Sequence, residues 1–398
     1  MKKRRSSRKI QDKKGAHETQ NGASDSCISA LPASILTEIF LRFPIVDLMK
    51  LKLVCTSWYK LISESSFTDI YCSNSPFTTL LLPMNISTII SSSQVLYLLE
   101  ISENGNCIRT PIRPRLPGWM QRKSSEFVIG SCNGLLSLSM QRNGAEVIYV
   151  SNPIMGEYVE LPEHERDHDD TRFVVYKIGF SPSVNNFKVL RIVYKTWLDT
   201  NVEECEIFTV GVDERWRRLD NPFMNLCYWV DGISLNGAFH WILRDKGSFQ
   251  ISTFNLAEER AGQVLHPPGL VLDSKTMNLA LFDNQLSLVD YSIESQITIW
   301  TMKEYRNAES WTKDVILRSW FPPGLHISKL SPVGKLQNGD IIFGHSADLI
   351  SFNVKQKKCS RIGFFGVPRV ASRIIPYAPS FKSLSEAIMR GHWNTINN

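Results

Sequence analysis

The chain has 398 residues, 43% of them hydrophobic and 21% charged, an ordinary composition for a globular protein with room for two or three domains. Its formal charge of +6 is uneven: residues 1–14 hold eight Lys or Arg against one Asp, a balance of +7, so the other 384 residues sum to −1. The folded part therefore offers no charge-based case for a nucleic-acid partner, and the eight cysteines (27, 55, 72, 107, 132, 205, 227 and 359), lacking a CxxC pair or zinc spacing, offer none for a metal.

Residues 1–26 read as a disordered basic tail, and Lys2-Lys3-Arg4-Arg5 fits either a nuclear-import signal or a solvated end. The chain opens without the apolar stretch of a secretory signal, which predicts reduced thiols inside a cell. The next segment, 27–70, contains LPASILTEIFLRFPIVDLMKLKLVCTSWYKLISESSF. Leu31, Ile35, Leu36, Ile39 and Phe40 recur at helical spacing, with Pro32 suited to a first turn. Arg42-Phe43-Pro44 ends that helix, because the residue before a proline is pushed out of the α region. Asp47 suits the cap of a second helix carrying Leu48, Leu51, Val54 and Cys55, and Thr56 or Ser57 that of a third with Trp58, Leu61 and Ile62. Three short helices cannot bury all these stripes against one another, so another chain or domain must cover some of them.

Leu31-Pro32, Ile35 to Leu41, Pro44-Ile45 and Val54-Cys55-Thr56-Ser57-Trp58 resemble the successive parts of an F-box. Phe43, where Leu is usual, and Leu53 are mild departures. The resemblance implies docking on the Skp adaptor of a cullin-based (SCF) ubiquitin ligase. The residues it assigns to the adaptor are Leu31, Pro32, Ile35, Leu36, Ile39, Pro44, Leu48, Leu51, Val54 and Trp58. Of these, Leu31, Pro32, Ile35, Leu36, Ile39, Leu48 and Leu51 are expected to be partly exposed without a partner.

From residue 76 to about 380 the pattern turns to period two. The uncharged run Pro76 to Leu99 carries Pro83, Asn85 and many Ser or Thr, and reads as strand-turn-strand rather than a membrane span. Asn133-Gly134, Asn186, Asn236-Gly237, Asn284 and Asn338-Gly339 each precede an apolar strand, at steps of 53, 50, 48 and 54. Strand-turn-strand units anchored on Tyr149, Phe208, Phe254, Trp300 and Phe352 recur at steps of 59, 46, 46 and 52. Four short strands in each such period predict an all-β propeller of about six blades, with Phe77 to Ile112 a degenerate first blade. A ring needs its last blade fastened to its first, and Ala371 to Phe381 is the candidate partner for Phe77 to Leu82. Residues 381–398 are read as a C-terminal tail with a helical signal only near Leu384 to Arg390, and the helical segment is expected to stand to one side of the ring.

Ser131 to Leu136, Asn152-Pro153, Leu161-Pro162, Gly179-Phe180, Leu235 to Trp241 and above all Ile299 to Tyr305 with Glu309-Ser310-Trp311 resemble the kelch-like F-box-associated domain of plants. Phe187 and Asn255 replace its usual Tyr and Asp. No GxSxG, HExxH, Walker loop, dinucleotide fingerprint or Asp-box repeat occurs. His240 reads as structural, and His164 to Asp170 as a solvated loop rather than a metal site. Together the two resemblances imply a non-catalytic, cofactor-free substrate receptor in the nucleus or cytoplasm. Its partners would be the Skp adaptor, through it a cullin, and a target protein held by the propeller, with no nucleic acid or membrane involved. The alternative is a propeller scaffold acting independently of ubiquitination. The target-contacting residues are not assigned.

Overall fold

The computed structural model describes residues 31–74, 77–83, 96–112, 127–142, 145–163, 173–196, 202–220, 232–245, 248–345, 348–363, 372–381 and 383–384. The basic tail, His164 to Asp170 and most of the 381–398 segment lie outside them.

Four helices come first: α1 (Ala33–Phe40), α2 (Ile45–Leu51), α3 (Thr56–Ser63) and α4 (Ser65–Asn74). Pro32 and Pro44 sit at the N-caps of α1 and α2, and their carbonyls accept the first helical N–H groups. Asp47 is not the cap of α2; it lies inside the first turn, paired with Lys50 at 2.8 Å. The fourth helix comes in addition to the three expected from the sequence. Ser65–Asn74 is rich in residues of weak helix propensity, and tertiary packing of Phe67 and Tyr71, one turn apart, decides its form.

The remaining strands form six four-stranded antiparallel sheets. Blade 2 is Phe127–Cys132, Leu135–Arg142, Ala145–Asn152 and Glu157–Glu160; blade 3 is Phe173–Ser181, Asn186–Tyr194, Val202–Thr209 and Arg217–Leu219. Blade 4 is Ile233–Leu235, Ala238–Asp245, Ser248–Asn255 and Arg260–Val264; blade 5 is Met277–Phe282, Gln285–Asp290, Gln296–Met302 and Trp311–Leu317. Blade 6 is Ser331–Lys335, Ile341–His345, Asp348–Asn353 and Lys358–Ile362. Blade 1 joins both ends of the domain: Ser372–Pro376 is its first strand, followed by Phe77–Pro83, Leu96–Ile101 and Cys107–Ile112. First strands touch at five of the six junctions between neighbouring blades, which places them nearest the axis; between blades 3 and 4 the first strand of blade 3 meets the second strand of blade 4.

The expected fastening is therefore present. Thr79 pairs with Pro376 and Pro83 with Ser372, and the Thr79 hydroxyl donates to the Ile375 carbonyl at 2.8 Å. The Asn turns join first and second strands in every case, with positive φ at Asn133 and Gly134, at Asn236 and Gly237, and at Gly339 after Asn338. In blade 3 the left-handed residue is Asn185 rather than Asn186. The five aromatics all occupy third strands. Phe208, Phe254 and Phe352 each stand one residue before the strand end and are fully buried, whereas Tyr149 lies two residues further back and Trp300 is half-buried. A second repeat accompanies them: the Asn152, Asn255 and Asn353 side chains accept backbone N–H groups within the next turn, capping it.

The helices do not stand to one side of the ring. One continuous core unites Leu36, Phe40, Ile45, Leu48, Ile62, Phe67 and Tyr71 with blade 1 (Leu80, Leu96, Leu98), blade 2 (Leu136, Tyr149) and Phe381. The apolar stripes are covered largely by the protein's own ring. Residues 377–381, with Ser383 and Leu384, act as a strap across blade 2. Tyr377 Oη donates to the Gly134 carbonyl at 3.1 Å, Asn152 Nδ2 to the Ser380 carbonyl at 3.0 Å, and Ser383 Oγ to Glu157 Oε1 at 2.8 Å. The strap runs so close to the Asn133-Gly134 turn that a Cβ on Gly134 would sit 2.2 Å from that of Ser380. Phe381 and Leu384, at the start of the segment read as a tail, are buried.

Candidate functional site

The helical segment has an inner and an outer surface. Inward, Leu36, Phe40, Ile45, Leu48 and Ile62 are buried against the ring. The Phe381 ring meets Tyr71 edge-on at 5.4 Å and Phe67 at 6.4 Å, and Tyr71 Oη donates to the Phe43 carbonyl at 3.1 Å. From blade 1, the buried carboxylate of Glu100 accepts the backbone N–H of Ile45 at the start of α2, a helix with no cap from its own side chains. Burial, aided by the charge of Asp47, raises the Glu100 pKa above the ordinary carboxylate value.

Outward, Ile35 is 47% exposed, Ile39 38%, Phe43 38%, Leu53 85%, Val54 61% and Tyr59 53%, and Pro32 is exposed beside them. Of the sixteen large apolar side chains exposed among the described residues, seven lie between positions 35 and 70; the other nine are scattered over the rest of the chain, none of them on blade 2. Such a concentration marks an interaction surface rather than ordinary surface scatter. Trp58 is half-buried, its ring edge-on to Phe40 at 4.9 Å, and helps to hold α3 against α1.

Of the ten residues assigned from sequence, Pro32, Ile35, Ile39 and Val54 lie on the outer surface, and Leu31, Pro44, Leu51 and Trp58 are half-buried. The expectation of partial exposure fails for Leu36 and Leu48, which are 7% and 0% exposed; they fasten the helices to the ring and are unavailable to a rigidly docking partner. Phe43, Leu53 and Tyr59 were not assigned. Phe43 and Leu53 were signalled only as departures from the usual motif, and Tyr59 carried no signal.

The ring holds no comparable chemical constellation. Among the described residues no group of three or more His, Cys, Asp or Glu gathers as a metal set, and no helix is long and apolar enough to cross a membrane. Cys55, Cys107, Cys132, Cys205 and Cys359 are free thiols. His240 is fully buried, its Nε2 2.8 Å from Tyr305 Oη, and burial depresses its pKa to about 4, so it packs neutral between blades 4 and 5.

A helical docking segment packed on a six-bladed propeller defines the class of modular adaptor proteins. The family model described as F-box domain matches residues 28–69, and that described as F-box associated beta propeller domain matches 83–356. The chain belongs to the F-box proteins that carry an F-box-associated propeller. It is similar to the F-box protein At3g07870 of Arabidopsis thaliana, 27% identical over 86% of this chain and 89% of the relative. It is also similar to two further proteins of that plant. The F-box/kelch-repeat protein At3g23880 is 23% identical over 74% of this chain and 84% of the relative, and the F-box protein CPR1 is 25% identical over 72% of each. Among solved structures, TolB from Acinetobacter baumannii aligns with a TM-score of 0.45 at 12% identity over 79% of this chain and 71% of that one. The family's general role is substrate recognition for SCF ubiquitin ligases, and its members are in general non-catalytic adaptors.

Proposed function

We propose that this chain binds the Skp adaptor through the outer surface of α1 to α3, is joined through it to a cullin, and holds a target protein on its propeller. The observation that carries this reading is the exposed apolar surface of Pro32, Ile35, Ile39, Phe43, Leu53 and Val54, which the ring leaves uncovered. No covalent step falls on this chain. Its contribution is proximity: tethering turns the meeting of target lysines and charged conjugating enzyme into a local event of high effective concentration.

The test is co-purification of full-length protein with Skp adaptor and cullin. Wild type is expected to retain both, and Ile35→Glu with Val54→Glu to lose both while the ring stays folded. Skp retained without cullin would favour the scaffold reading independent of ubiquitination; neither retained would remove the assignment. We further propose that the Lys2-Lys3-Arg4-Arg5 cluster directs nuclear import. Deleting residues 2–14 should shift the protein toward the cytoplasm, and an unchanged nuclear fraction would reject it.

A further inference from the structure

Every blade of a propeller leaves its outermost strand with one unpaired edge, an invitation to unwanted pairing that proteins usually blunt with charge or proline. Five blades here follow that rule. Blade 1 carries Arg109 and Pro111 on its outer strand, blade 2 Glu157 and Glu160, blade 3 Arg217 and Arg218, blade 5 Lys313 and Asp314, and blade 6 Lys358 and Arg361. The outer strand of blade 4, Arg260–Val264, differs: after Arg260 it continues Ala261-Gly262-Gln263, uncharged and small, and its first four residues are exposed.

This strand also borders an open groove of about 430 Å³. All five of its residues line the groove, and so do Thr253 and Asn255 of the neighbouring strand, which pair with Gly262 and Arg260, so the groove lies over one face of the blade beside its free edge, where alternate side chains of an added strand would fall. Arg306, from the turn between the last two strands of blade 5, lines the same groove, and Leu265 extends the lining beyond Val264 with a 59% exposed apolar side chain. Neither Arg260 nor Arg306 makes an ion pair among the described residues; Arg306 overlies the Tyr305 ring at 5.5 Å and donates a hydrogen bond to its hydroxyl, leaving its charge unneutralised. Glu258 is the one carboxylate in the lining, and the adjacent Glu259 is already held by Lys188 and Arg217 at 2.6 Å. The groove therefore carries a net positive charge beside an unguarded strand edge.

We infer that the edge Arg260–Val264 docks an extended, acidic segment of the target protein as a fifth strand of blade 4. Five residues of strand span roughly 16 Å, enough to engage a segment of similar length. Main-chain pairing supplies affinity, and Arg260 and Arg306 select carboxylate side chains by charge-assisted hydrogen bonds. Gly262 keeps the groove over this face open. A Cβ there would meet only Thr253 Oγ1, at 3.1 Å, so a larger residue fits the blade with a small shift of that hydroxyl, yet fills the space that the side chains of an added strand would enter.

The inference rests on the reading that the propeller holds a target, and its test is separable from that of the adaptor surface. The probe is a fluorescein-labelled hexapeptide of alternating Thr and Glu, titrated against the full chain by anisotropy. It is compared with the Gln counterpart and with two forms N-methylated at alternate amides, one for each edge of the peptide. The Glu peptide is expected to bind at least about tenfold more tightly than the Gln peptide, and one N-methylated form to lose that binding. Gly262→Lys and Arg306→Ala should each weaken it about tenfold with thermal unfolding unchanged, whereas Arg361→Ala on blade 6 should not. Equal binding of the Glu and Gln peptides, indifference to both N-methylated forms, or wild-type binding by both groove variants would overturn the inference. So would concentration-dependent self-association abolished by Gly262→Lys, which would assign the edge to a second copy of the chain. Adaptor co-purification by the groove variants should persist throughout; its absence in wild type would refute the adaptor reading and leave the groove result standing.

Discussion

Replacing Phe381 by Ala tests whether helices and ring are one folding unit. Phe381 is 6% exposed and touches both aromatic anchors of α4, at 5.4 and 6.4 Å between ring centres. Truncating a buried Phe typically costs about 3–5 kcal/mol, and the two ring contacts account for about 0.5–1.5 kcal/mol each beyond area burial. The site lies at the edge of the shared core, where the helices relax on one side, so the lower figure of about 3 kcal/mol is expected. Hydrogen exchange read by mass spectrometry localises the loss. In wild type, amides of α4 should be protected to the level of blade 1; in the variant they should exchange roughly a hundredfold faster, with blade 5 unchanged. Unprotected α4 amides in wild type, or no acceleration in the variant, would refute the shared core.

Three further outcomes follow from the same coordinates. Replacing Leu31 and Pro32 together by Ala should weaken Skp binding by about 2 kcal/mol or more without changing far-UV circular dichroism, because Pro32 is exposed and Leu31, half-buried, lies at the margin of the shared core. Ending the chain at residue 370 removes the inner strand of blade 1 and the strap, and soluble, protease-resistant ring should be lost; full retention would contradict the fastening described by the Thr79–Pro376 register. Acid should destabilise in two stages. His240, depressed to about 4 from 6.5, costs stability as pH falls from 6.5 toward 4, and Glu259, depressed to about 2 from 4.5 chiefly by the Arg217 hydrogen bond and then Lys188, costs more as pH falls from 4.5 toward 2. Water screens the partly exposed Glu259 site, so Glu259→Gln should cost only about 1 kcal/mol at pH 7 and flatten the lower stage in pH-dependent urea titrations.

The ring was legible because its turns demand particular residues. Asn133-Gly134 and Asn236-Gly237 occupy left-handed backbone that few side chains tolerate, and that requirement shows in the letters. Helix amphipathicity, by contrast, declares that a stripe must be covered without saying by what. Leu36 and Ile35 are adjacent, equally apolar and on the same helix, yet one faces the ring and the other solvent. The fourth helix was hidden for a related reason: Phe67 and Tyr71 stabilise it partly through Phe381, which lies over 300 residues away in sequence. The groove of blade 4 escaped because its defining feature is a side chain that is absent, at Gly262.

The closing of blade 1 by Ser372–Pro376 also sets an order of events at the ribosome. The helices are synthesised before the ring, but Ile375, Tyr377 and Phe381, which complete the surface they rest on, emerge only after the other five blades. Until then the inner apolar side of α1 to α4 has an incomplete seat and the Phe77–Pro83 strand an open edge. A chain broken off anywhere in the ring is thus denied the finished docking unit, so fragments compete poorly with the intact protein for a shared adaptor. Residues made late thus certify residues made early.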